Sequence, residues 1–101
     1  MFKEENVPLD YWRFIRAGRA KKILEDFEGA IQEYTKAIIT SKKLSNAFFH
    51  RGNIYSILGN HQLAIKDYKE ALKKSNTCFM KSYILEKIQK QYLDKFNKLE
   101  N

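Results

Sequence analysis

The sequence predicts an all-α chain of five helices, stacked as a solenoid of antiparallel helix pairs. Three observations carry this expectation. Apolar residues recur at helical spacing in every long segment. The 101 residues include only four glycines and one proline, which favours long regular elements. Residues 45–78 repeat the 34 residues before them.

The organisation follows in order. Residues 1–9 carry mixed charge without periodicity and are expected to form a flexible N-terminal arm, with Asp10 as a helix N-cap. Tyr11 to Leu24 reads as the first helix, with Phe14, Ala17, Gly18, Lys21 and Leu24 on its buried face. Glu25-Asp26 makes a turn. Phe27 to Thr40 is the second helix, with Phe27, Ala30, Ile31, Tyr34, Ala37 and Ile38 inward. Ser45 or Asn46 caps a third helix that runs to Leu58. Gly59-Asn60 stops it, since both residues tolerate the left-handed conformation. His61 to Lys74 is the fourth helix, with Ala64, Ile65, Tyr68, Ala71 and Leu72 inward. Asn76 or Thr77 caps a fifth, within residues 79–101.

Residues 11–44 laid over 45–78 share nine identities: Phe14/Phe48, Gly18/Gly52, Ile23/Ile57, Leu24/Leu58, Ala30/Ala64, Ile31/Ile65, Tyr34/Tyr68, Ala37/Ala71 and Ser41/Ser75. Chance would supply about two. Gly in mid-helix costs roughly 1 kcal/mol against Ala. Gly18 and Gly52 therefore point to close approach by a neighbouring helix. The alanine pairs read the same way, and Tyr34 and Tyr68 fill the space between.

On these residues the chain resembles the tetratricopeptide repeat family. Phe48, Gly52, Tyr55, Ala64, Tyr68 and Ala71 match the family pattern, with Gly59-Asn60 at the turn. Phe14, Gly18, Ala30, Tyr34 and Ala37 match it in the first unit. The resemblance implies two repeats, 11–44 and 45–78 (domain 10–78), in a right-handed α-solenoid. Three departures stand out. Lys21 replaces an aromatic and is expected to snorkel. Glu25 replaces the turn glycine, so the first turn should be less tight. Arg51 replaces a bulky apolar residue. Two repeats are few for a solenoid, so residues 79–101 should form a long capping helix. Its stripe is Ile84, Leu85, Ile88, Tyr92, Phe96 and Leu99. Tyr92, Phe96 and Leu99 either fold onto the fourth helix or form a homodimer seam.

The resemblance also implies that the first helix of each pair lines a concave groove. The corresponding partner-binding residues are Trp12, Ile15, Arg16, Arg19 and Lys22, then Phe49, His50, Asn53 and Ile57, with Ile23 and Ser56 beside them. Aromatic and apolar anchors beside fixed cations suit a protein or peptide with acidic and apolar groups. Asn53 matches one element of the chaperone-tail clamp of some family members, but Ile15 and Phe49 replace others. The expected function is a protein–protein interaction scaffold or adaptor.

The formal charge of +7 also suits anionic partners in general. A nucleic-acid reading rests on Arg13, Arg16, Arg19 and Lys22 beside Trp12. A third reading is an assembly module that dimerises through the last helix. No nucleophile elbow, phosphate loop or paired-histidine motif occurs, so no enzyme, cofactor or metal site is expected. His50 and His61 lie at opposite ends of a helix pair. A single cysteine, Cys78, allows no intramolecular disulfide and is expected to be structural. No apolar run approaches a membrane span, and the N-terminus lacks a signal-peptide core, so a cytoplasmic location is expected.

Overall fold

In a computed structural model the chain folds as five α-helices: α1 (Leu9–Ile23), α2 (Phe27–Thr40), α3 (Asn46–Ile57), α4 (His61–Lys74) and α5 (Cys78–Glu100). The structure describes residues 7–100, with side chains described through Asn97. Most of the expected arm lies outside these residues, and the Leu99 side chain of the expected seam lies outside the described side chains. Val7 packs against the core, and α1 begins with Leu9 after Pro8. Asp10 is thus a first-turn residue, 3.5 Å from Arg13, and not the cap. No helix among the described residues is long and apolar enough to cross a membrane.

α1 packs along α2, α3 along α4, α2 against α3 and α4 against α5. The core is a continuous row of buried Ala and Tyr from α2 and α4, met by residues of α1, α3 and α5. Tyr34 and Tyr68 are buried at its centre, and Gly18 and Gly52 face their rings.

The buried face of α1 is rotated from the expected one. Tyr11, Ile15 and Gly18 are its buried residues, whereas Phe14 is half-buried and Leu24 is 77 % exposed. The reason is that α1 has two neighbours. Gly18 meets α2, while the Tyr11 hydroxyl accepts the Ala47 N–H of α3 at 3.0 Å. Ile15, one turn on from Tyr11, is drawn into the core with it. Leu24 follows the last helical residue and points to solvent. Lys21 does reach outward, to Asp26 at 3.6 Å.

The two interhelix turns have the same construction, so the first is not looser. The Asp26 N–H donates to the Lys21 carbonyl at 2.8 Å, and Asn60 does likewise to Tyr55 at 2.9 Å. Glu25 N–H bonds Lys22 and Gly59 N–H bonds Ser56, which completes the same αL termination twice. The residue after each turn then caps the next helix. The Asp26 carboxylate accepts from Gly29 N–H, and the Asn60 side chain from Leu63 N–H. Asn60 is therefore a cap, and the left-handed residue is Gly59, with φ 79°. Glu25 holds φ 61° without being glycine. A left-handed non-glycine residue costs roughly 1–2 kcal/mol. We therefore expect Glu25→Gly to stabilise the fold by about 0.5–1 kcal/mol after the entropy cost of glycine. Urea unfolding followed by circular dichroism checks this, and an unchanged midpoint would refute it.

Arg51 has a buried partner that the periodicity did not reveal. Its Nε and Nη2 donate to the two Asp67 carboxylate oxygens at 2.7 and 2.8 Å, and its Nη1 donates to Thr35 Oγ1 at 3.1 Å. Arg51 is thereby held in its charged form, chiefly by the hydrogen bond to Asp67. α2, α3 and α4 are tied together at this point.

Thr77 Oγ1 accepts the Met80 N–H and opens α5. Ile84, Ile88 and Gln91 of α5 are buried. The expected stripe splits here: Leu85, Tyr92 and Phe96 are 48 %, 50 % and 58 % exposed, on a flank about a quarter turn away. Gln91 takes the inward place because it has polar partners. Its Oε1 lies 2.7 Å from His61 Nδ1, and its Nε2 donates to Ser56 Oγ at 2.7 Å.

Candidate functional site

Two adjoining cavities open between the helices. The first, roughly 380 Å3, is lined by Arg19, Lys22, Ile23, Tyr34, His50 and Asn53. The second, roughly 280 Å3, lies toward α5, where Lys87, Lys90 and Tyr83 join Lys22, Asn53, Ser56 and Ile57 above Tyr68 and Gln91. Lys22 and Asn53 line both. No Asp or Glu among the described residues lines either cavity. A third cavity, roughly 470 Å3, sits at the α3–α4 turn beside Lys95 and contains none of the expected site residues.

The expected site residues divide accordingly. Arg19, Lys22, His50 and Asn53 meet in the first cavity, and Ile57, 51 % exposed, lines the second. Trp12 and Arg16 are exposed on α1 but line neither. The Trp12 ring meets Tyr11 edge-on at 4.9 Å between centroids. Ile15 is not a groove residue, because it is buried against the core. Phe49 is half-buried, with its ring 5.6 Å from Tyr83 and 5.7 Å from Tyr68. Tyr83 of α5 thus covers part of the floor that Phe49 was expected to expose. Tyr83, Lys87, Lys90 and Gln91 were missed. Lys87 and Lys90 are three apart on the flank of the Ile84–Ile88 stripe, and that spacing was the available signal. Cys78 is exposed at the first position of α5, so it is not a core residue.

The groove floor is fixed by hydrogen bonds. The Tyr68 hydroxyl donates to Asn53 Oδ1, and Ser56 Oγ accepts from Gln91 Nε2. Burial pushes the Tyr68 hydroxyl up to about 12, so it keeps its proton and remains a donor. Asn53 Oδ1 is thereby occupied, and its Nδ2 donors are left to the groove. His50 stacks on Tyr34 with centroids 5.4 Å apart and planes at 16°. Burial, then the charges of Arg19 and Lys22, lower its pKa below the ordinary histidine value. The first cavity is thus lined by two cations, a neutral imidazole and an amide donor. It complements acceptors and anions.

Among known families, the tetratricopeptide repeat model matches residues 45–77. The chain carries a tetratricopeptide repeat. In sequence it is 44 % identical to neutrophil cytosol factor 2 of Mus musculus over 55 residues, which make up 54 % of this chain. The matched stretch is 10 % of that protein, so the chain corresponds to a small part of its relative. The tetratricopeptide repeat is α3 and α4, and α1 and α2 repeat its glycine–tyrosine packing and its turn. Tetratricopeptide repeats mediate protein–protein interaction.

Proposed function

We propose that the concave groove binds a segment of a partner protein that carries acidic and apolar side chains. The observation that supports this is the lining of the two cavities: Arg19, Lys22, Lys87 and Lys90 converge on them and, among the described residues, no carboxylate does. Acidic side chains pair with these cations, Asn53 Nδ2 donates to a backbone carbonyl, and Ile23 and Ile57 meet apolar side chains at the rim.

A fluorescent peptide pool alternating Glu or Asp with Leu or Trp tests this against a Ser/Leu pool. The wild-type chain should prefer the acidic pool. Arg19→Glu with Asn53→Asp should weaken its binding at least tenfold at unchanged helicity, because Asp keeps the acceptor for Tyr68 while it removes the donors. A double variant that binds as well as wild type would refute the groove. The affinity should also depend on pH. A carboxylate entering beside His50 offsets Arg19 and Lys22 and favours the imidazolium, so binding takes up a proton. Affinity for the acidic pool should rise as pH falls from 7.5 to 6, and His50→Gln should flatten that slope.

A further inference from the structure

The α5-side cavity carries more positive charge than an acidic side chain requires. Lys22 reaches it from α1, and Lys87 and Lys90 from α5. Their setting is built. Lys87 Nζ lies over the Tyr83 ring, 5.4 Å from its centroid, which restrains the ammonium. Asn53 is oriented by Tyr68, and Ser56 is held by Gln91. Tyr68 and Gln91, each 1 % exposed, form the cavity's polar base. Asp94 holds Lys90 at 3.2 Å, but that pair is exposed and yields readily to a stronger anion. A carboxylate offers one charge and two oxygens. A phosphate monoester at neutral pH carries about −1.5 to −2 and three acceptor oxygens, which matches three ammonium groups and the Asn53 amide.

We propose that this cavity is the seat of a phosphorylated side chain on the bound protein segment. The inference rests on the groove reading above and adds a chemical class to one of its two cavities. The segment lies across Arg19 and Lys22 with its acidic and apolar side chains. The phosphoryl group then occupies the space between Lys22, Lys87 and Lys90, where Asn53 Nδ2 donates to one of its oxygens.

The test uses the whole chain and three hexapeptides of sequence Leu-Asp-X-Leu-Glu-Trp, with X as phosphoserine, glutamate or serine. Affinity is read by fluorescence anisotropy, and the bound phosphoryl group by its 31P shift. We expect the phosphoserine peptide to bind at least tenfold tighter than the glutamate peptide. Lys87→Gln with Lys90→Gln should abolish that preference, weakening the phosphoserine peptide far more than the glutamate peptide, which still has Arg19 and Lys22. Both lysines lie outside the core, and circular dichroism reports whether the variant is folded. Lys22→Gln, on a different helix, provides a second variant and should weaken all three peptides, the phosphoserine form most. Equal affinity for the phosphoserine and glutamate peptides overturns the phosphoryl site and leaves the groove standing. Binding of none of the three overturns both. A preference that survives in the Lys87/Lys90 variant overturns this location. Competition by single-stranded RNA at lower concentration than the phosphopeptide overturns a protein ligand in favour of nucleic acid.

Discussion

Asp67→Ala is expected to destabilise the fold by about 3 kcal/mol, the low end of the range for removing one partner of a buried ion pair. The Asp67 side chain is 4 % exposed and that of Arg51 20 %. Alanine at 67 leaves the guanidinium half-enclosed with only the Thr35 hydroxyl, which already donates to the Ile31 carbonyl. Stability of small domains is about 5–15 kcal/mol, so this loss removes a large share. Arg51→Met combined with Asp67→Leu removes both charges at similar volume and should recover most of it. Urea unfolding of the two single variants and the double variant measures the coupling. A shift below about 1 kcal/mol for Asp67→Ala would show that the pair does not hold α2, α3 and α4 together.

Gly18→Ala tests the opposite kind of constraint. Helix propensity alone predicts a gain of roughly 1 kcal/mol from this change. Packing predicts a loss, since the new methyl would lie 2.5 Å from Tyr34 Cε1 and 2.7 Å from Cδ1 and Cζ. Tyr34 is fully buried with His50 stacked on it, so the ring cannot swing away. Overpacking costs about 1–3 kcal/mol, and we expect a net loss of about 2 kcal/mol, or roughly 10 °C in Tm. Gly52→Ala should cost less, because its methyl would lie 2.9 Å from Tyr68 Cε1. Thermal unfolding of both variants decides between the two effects. A stabilising Gly18→Ala would refute the close approach.

The repeat made four of the five helices legible, because Gly18/Tyr34 and Gly52/Tyr68 at an offset of 34 encode one packing solution twice. The rotation of α1 was not legible, since a single apolar stripe does not describe a helix that serves two neighbours through Gly18 and Tyr11. Arg51 and Asp67 could have been paired. Their counterparts at the same offset are Ala17 and Glu33, so the first unit lacks the cation of the pair. Within the groove, Arg19, Lys22, His50 and Asn53 were readable from the positions of the first helices. The contribution of α5 was hidden for two reasons. The inward stripe of α5 contains Gln91, whose burial depends on His61 and Ser56 far away in sequence. Tyr83 and the two lysines lie on a flank that only the docking of α5 turns toward α1.

That docking divides one helix between anchoring and lining the cavity. Ile84, Ile88 and Gln91 hold α5 in place, while Tyr83, Lys87 and Lys90 face the cavity and carry none of the core. The floor has no such freedom, since Asn53 is held by Tyr68 and Ser56 by Gln91. A family of such chains could therefore change its ligands by rewriting one wall, at little cost in stability, above a floor that stays the same. For the engineer, Lys87 and Lys90 are two exchangeable positions on a fixed scaffold.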